Sequence, residues 1–109
     1  LELAYYVTPS ETPKALPFSN KNIEDILEYV EATDISDLEI IPITQEILIW
    51  ANSAVIQARH NLAFKLDVDD SLVYGKAIFT GTMNENGTIE GLTGPQFSTI
   101  PNLIQFPNY

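Results

Sequence analysis

The chain has no cysteine, one histidine, five basic side chains and no apolar run near the length of a membrane span. Each shortage excludes a chemistry. Without cysteine there are no disulfides and no thiolate zinc sites, although this does not fix a compartment. With His60 as the lone histidine, a catalytic zinc of the usual kind lacks its ligands. A span needs about 18 consecutive apolar residues, and none is present. The basic residues, Lys14, Lys21, Arg59, Lys65 and Lys76, form no stripe of the sort that tracks nucleic acid phosphates. No phosphate-cradling glycine loop exists either, because Gly75, Gly81, Gly87, Gly91 and Gly94 fit neither Walker nor dinucleotide spacing.

What is present is acid. Fifteen acidic side chains oppose five basic ones in 109 residues, and their distribution is uneven. From Asn22 to Ala58 there is no Lys or Arg, while Glu24, Asp25, Glu28, Glu31, Asp34, Asp37, Glu39 and Glu46 all fall there. Such a flank repels nucleic acid and anionic membranes. It reads as a solvated face, or as a surface that docks a basic partner in the manner of an inhibitor or nucleic-acid mimic.

The length suits one domain with a modest core, and 45% apolar residues is ordinary for a folded protein. The first residue is Leu1 rather than Met, so a segment such as a signal peptide is expected to have been removed or omitted. Residues 1–19 are apolar and β-prone at first, then punctuated by Pro9, Pro13 and Pro17, which predicts an extended N-terminal arm. Residues 20–92 are expected to be a helix plus an antiparallel β body. An amphipathic helix over about 20–33 follows from Ile23, Ile26, Leu27 and Val30, with Ser19 or Asn20 as its cap.

Leu38 to Ile43 reads as a short strand that Pro42 sends to an edge. From Ile56 to Val68 the side chains alternate, with Ile56, Ala58, His60, Leu62, Phe64, Leu66 and Val68 on one parity. A period of two predicts a strand, and 13 residues at about 3.3 Å each would make it about 43 Å long. Ile47 to Ala51 then becomes its hairpin partner around Asn52-Ser53, with a helix over the same stretch as the alternative. Leu72 to Met83 reads as a further strand. Asn84-Glu85-Asn86-Gly87 is a hairpin turn, and Thr88 to Leu92 is the return.

Residues 93–109 carry no charge, and Pro95, Pro101 and Pro107 recur every six residues. Phe97, Ile100, Leu103, Ile104, Phe106 and Tyr109 make this stretch apolar, which predicts a C-terminal arm laid on its own domain or on a neighbour. The fold class expected is therefore α+β and mostly antiparallel β. A curved sheet, sandwich or partly open barrel would carry one N-terminal helix and two extended arms.

Few residues suggest chemistry. His60 lies among Leu and Ala, with no Gly-x-Ser-x-Gly elbow to supply a nucleophile. Asp67, Asp69 and Asp70 form the best candidate for a hard cation such as Ca²⁺, though the match is weak and three acids in a strand-to-strand turn are usually ordinary turn chemistry. The run from Thr82 to Thr93 has Asn84, Asn86 and Gly87 in the middle of an EF-hand-like spacing but lacks both terminal acids. Asn86-Gly87-Thr88 is also a glycosylation sequon, which a tight turn explains without sugar.

Two arms and an overlong strand predict a non-enzymatic subunit of a larger homo- or hetero-oligomeric assembly, of the virion-component or extracellular-filament type. Its partners would be protein, either copies of itself or other subunits, with no nucleic acid, no membrane span and no cofactor. The alternative is a small-molecule binding domain or small enzyme, with a pocket between sheet and helix lined by Trp50, His60, Phe64 and Tyr74.

Overall fold

The computed structural model describes residues 2–107. Its frame is an antiparallel five-stranded sheet. Strand β1 (Leu3–Val7) pairs with β2 (Lys14–Pro17) on one side and with β7 (Ala77–Thr80) on the other. β7 in turn pairs with β4 (Leu48–Asn52), and β4 pairs with β3 (Leu38–Pro42), so the order is β2-β1-β7-β4-β3. A second, three-stranded sheet has β5 (Leu62–Leu66) between β6 (Leu72–Tyr74) and β8 (Ile104–Gln105).

The period of two in the central strands builds two cores. Tyr5, Val7, Ile49, Ala51, Ala77 and Phe79 point from the large sheet towards Ala63, Phe64, Leu66, Val73 and Ile104 of the small one. Ala4, Trp50 and Ile78 point the other way, onto helix α1 (Ile23–Tyr29) through Ile26 and onto Val30 just beyond it. The layers therefore run helix, five-stranded sheet, three-stranded sheet. The large sheet is covered on both faces, and no barrel closes. Trp50 is buried with its indole Nε1–H donating to the Thr80 hydroxyl at 2.8 Å, and that hydroxyl donates to the Gly81 carbonyl. A buried indole or hydroxyl needs such a partner.

Several expectations are corrected. The α1 helix is shorter than 20–33. Asn20 has φ 53°, and Asn22 is the cap, in a reciprocal capping box with Asp25. Glu31, at φ 58°, lies past its end. The 13-residue strand does not exist. The Asn52 Oδ1 accepts from the N–H groups of Ala54 and Val55 and starts helix α2 (Ser53–Ala58). Left-handed Arg59 and Asn61, at φ 57° and 62°, end it before β5 begins. Of the alternating tract only Ile56–Ala58 is helical and Leu62–Leu66 is strand, and Val68 ends 76% exposed in a turn.

Leu72 to Met83 is likewise two strands in two sheets, divided at Gly75 (φ 80°), where a Cβ would lie 2.6 Å from Val55 Cγ1. The Asn84 turn does form: its Oδ1 accepts from the N–H groups of Asn86 and Thr88, and Gly87 takes φ 81°. The return stretch makes isolated bridges, Ile89 with Lys21 and with Met83, and Leu92 with Leu3.

Neither terminal segment is an extended arm. Residues 3–17 are a hairpin of the main sheet, with Pro9 and Pro13 in its connection. Beyond residue 92 the chain forms helix α3 (Gly94–Thr99), a 3-10 turn (Ile100–Asn102) and β8. Thr93 and Gln96 make a capping box, and Pro95 stands in the first turn, where its missing N–H costs nothing. Prolines at this spacing exclude a long helix but not a single turn.

Candidate functional site

The predicted pocket residues are not brought together. Trp50 faces α1, whereas Phe64 faces the other core on the far side of the large sheet. His60 is exposed in the turn between α2 and β5, and Tyr74 is half-buried on the outer side of β6. The chain reversal at Arg59 removes His60 from the inner face that an unbroken strand would have given it.

The acidic turn is also dispersed. Asp67 accepts from Gln105 Nε2 at 2.9 Å, Asp69 accepts from the Ser71 N–H at 2.9 Å, and Asp70 pairs with Lys65 at 3.4 Å. The Ser71 backbone N–H, then its hydroxyl, hold the Asp69 carboxyl below the usual aspartate range. Each carboxylate has its own partner. Among the described residues no three His, Asp or Glu side chains are grouped to hold a metal ion.

The apolar C-terminal residues serve their own domain. Ile100 and Ile104 are buried in the core between the sheets, and Phe97 and Leu103 pack against it. Phe97 meets Tyr5 edge-on with ring centroids 5.2 Å apart. Phe106 is 42% exposed, and Tyr109 lies outside the described residues. The acidic flank is spread over the wet side of α1, the 3-10 turn at Ile35–Asp37 and β3.

Three open clefts among the described residues bear on function. One, of about 540 Å³, lies between Thr44–Ile47 and the Pro95, Gln96, Thr99 and Leu103 side chains, and Gln96 Nε2 donates to Glu46 at 3.3 Å. A second, of about 380 Å³, includes Lys76 and Glu31, which neutralise each other at 3.4 Å. The third, of about 590 Å³, runs between α2 and β6 and is lined by Ile56, Gln57, Arg59, Ser71, Leu72 and Tyr74. Among the described residues Arg59 makes no ion pair.

The sheet edges distinguish this last cleft. In an antiparallel ladder, alternate residues turn their N–H and C=O towards the neighbour or away from it. On β2, Phe18 donates to Glu2, so Ala15 and Pro17 face outwards, and proline has no N–H. On β3, Ile43 donates to Ile47, so Leu38, Ile40 and Pro42 face outwards. Leu38 N–H is taken by the Ile35 carbonyl, which leaves Ile40 as the outward donor. On β8, the Asp67 bond to Leu103 leaves Ile104 outward.

β6 is different. Ser71 accepts from Leu66 and Gly75 donates to Asn61, so Leu72 and Tyr74 both face outwards. Among the described residues no turn, loop or side chain takes either N–H. Two consecutive outward donors, with no proline, make this the edge best able to accept a strand. Nothing in the sequence alone could have found it, because edge position is set by distant pairing; the lack of proline in Ser71–Tyr74 is the one local sign.

No protein-family model, curated protein or solved structure matches this chain.

Proposed function

We propose that the protein is a non-enzymatic subunit that joins a larger homo- or hetero-oligomeric assembly by accepting an extended strand at the β6 edge. The observation that carries this reading is the pair of outward N–H groups at Leu72 and Tyr74, beside a cleft, whereas β2, β3 and β8 each offer one such donor within their described strands. Strand addition draws its affinity from main-chain hydrogen bonds, so it needs consecutive free donors and acceptors. The apolar residues described in the C-terminal segment, Phe97, Ile100, Leu103 and Ile104, are engaged in the chain's own core.

The test is a photo-crosslinker at Leu72 and, as control, at Ile40, in the cells or particles that contain the protein. The expected result is one product of defined mass from position 72 and none from position 40. A chain that runs at its own mass from both positions would sink the proposal.

The cleft at Thr44–Ile47 supports a second reading, a small-molecule site. Its size, about 540 Å³, falls in the range of ligand pockets, and Ile47, Pro95 and Leu103 give it apolar walls. Saturable shifts of the Thr44 and Thr99 amides with apolar aromatic fragments are expected. A fragment screen that leaves both amides unmoved removes this reading.

A further inference from the structure

Resting on the strand-accepting reading of β6, we infer that the occupant is an extended segment of another protein chain, with an acidic side chain two residues from an apolar one. The β6 edge supplies the backbone hydrogen bonds, and the opposite wall of the cleft supplies the specificity.

That wall is α2. Ile56 and Arg59 both line the cleft, with Leu72 and Tyr74 across from them. Ile56 stands in the last turn of α2 and Arg59 is the left-handed residue that ends it, so both are presented on this one wall. Residues i and i+2 of a strand share a face at about 6.7 Å. One side chain of an added strand therefore rests on Ile56 as the next on that face reaches Arg59. The first of these contacts favours an apolar residue. The second favours a carboxylate, because Arg59 has no acidic partner among the described residues and guanidinium pairs a carboxylate through two parallel hydrogen bonds. Lys76 in the adjoining cleft shows the contrast, since Glu31 already satisfies it at 3.4 Å. In a protein of net charge −10, a cation left unpaired beside an open strand edge is a selective feature rather than a general attraction for acids.

The backbone part is equally definite. An antiparallel segment would accept from the N–H groups of Leu72 and Tyr74 and donate to their carbonyls, extending the order β6-β5-β8 by one strand. A folded second copy would also bring to the joint the α2 that packs beside its own β6. A free segment brings no such helix.

The experiment uses the intact protein and a blocked peptide, acetyl-Thr-Val-Thr-Glu-Thr-amide, in which Val and Glu share one face. Amide NMR is expected to show saturable shifts at Arg59, Leu72 and Tyr74, with slowed hydrogen exchange at Leu72 and Tyr74. Replacing the peptide's Glu by Gln, or Arg59→Gln, should weaken binding about tenfold or more, as loss of a charge-assisted pair does. Arg59→Glu should restore binding to the Lys version of the peptide, which a merely structural effect of the substitution would not do. Leu72→Pro, which removes an outward N–H, should abolish binding while the remaining spectrum stays folded.

The assignment is overturned if the Glu peptide gives no saturable shift, or if its affinity ignores both charge changes. It is also overturned if exchange at Leu72 and Tyr74 slows with protein concentration in the absence of peptide, which is self-pairing. A crosslink from Leu72 with no response to the peptide leaves the assembly role standing and removes the acidic partner.

Discussion

The two sheets of this molecule are built from similar residues and finished in opposite ways. The five-stranded sheet is buried on both faces, and its outer strands β2 and β3 carry Pro17 and Pro42 at register positions that face outwards. The three-stranded sheet is buried on one face, and its β6 edge carries no proline. Proline costs a ladder bond where its missing N–H would face a neighbour and costs none where it faces water. An edge blunted in this way resists unwanted pairing, so an edge left open stands out. Exposed apolar side chains are a poor guide to a partner here. Ile40 and Leu72 are both 44% exposed, yet only Leu72 sits on an edge with a second outward donor.

The largest effects should come from the doubly covered sheet. Trp50→Ala removes the largest fully buried side chain and its bond to Thr80, and should cost about 3–5 kcal/mol by denaturant unfolding. A loss under about 1 kcal/mol would mean that the helix-side core is not the support described.

A pair of proline substitutions sharpens the edge comparison directly. Val73 is buried and faces β5, so Val73→Pro should cost about 3 kcal/mol or more, through a lost ladder bond and lost packing. Leu72→Pro, one residue away, should shift stability by only about 0.5 kcal/mol, in the range of surface changes. Equal losses from the two would refute the outward assignment of Leu72.

At the junction between the sheets, Asn52 caps α2, and its Nδ2 donates to the Glu31 carbonyl at 3.2 Å and to the Val30 carbonyl at 3.4 Å. Asn52→Ala should cost about 1–2 kcal/mol, a typical cap loss, and should shift amides in both α2 and the 30–31 turn. Shifts confined to α2 would show that the link to residues 30 and 31 carries nothing.

The smallest effect belongs to the turn that leads into β6. Asp69 has its carboxyl held below the ordinary value, so its contribution is present above the unfolded pKa and fades as pH falls through the lower folded one. The expected carboxyl NMR midpoint is below that of a free aspartate, and Ser71→Ala should move it up. An unmoved midpoint would mean that the Ser71 hydroxyl adds nothing to the bond from its backbone N–H.

Much of the local chemistry was legible in the residues. Asn84-Glu85-Asn86-Gly87 encodes its own turn, because a side-chain amide accepting two backbone N–H groups and a glycine at positive φ need nothing from elsewhere. The β-branched and aromatic run marks a strand at Ile47 to Ala51, and β4 forms there at Leu48–Asn52, with Ile49 and Trp50 serving opposite cores. Alternation misleads over Ile56 to Val68, because Ile56 and Ala58 suit a helix as well as a strand. The choice was made by Asn52 as a cap and by left-handed Arg59 and Asn61, signals no stronger in sequence than the pattern they override. The candidate pocket failed for the same reason, since the reversal at Arg59 sends His60 outwards.

By itself, the sequence determined the class: an α+β chain, mostly antiparallel β, with its turns and helix caps written in Asn, Asp, Gly and Pro. Those choices are settled by hydrogen bonds within a few residues. Tertiary structure alone decided which strands became edges, that the apolar C-terminal segment closes its own core, and that Arg59 faces an open strand. These depend on pairings such as Leu3 with Leu92, which no local pattern encodes. Their stabilisation is realised only when distant apolar faces leave water together.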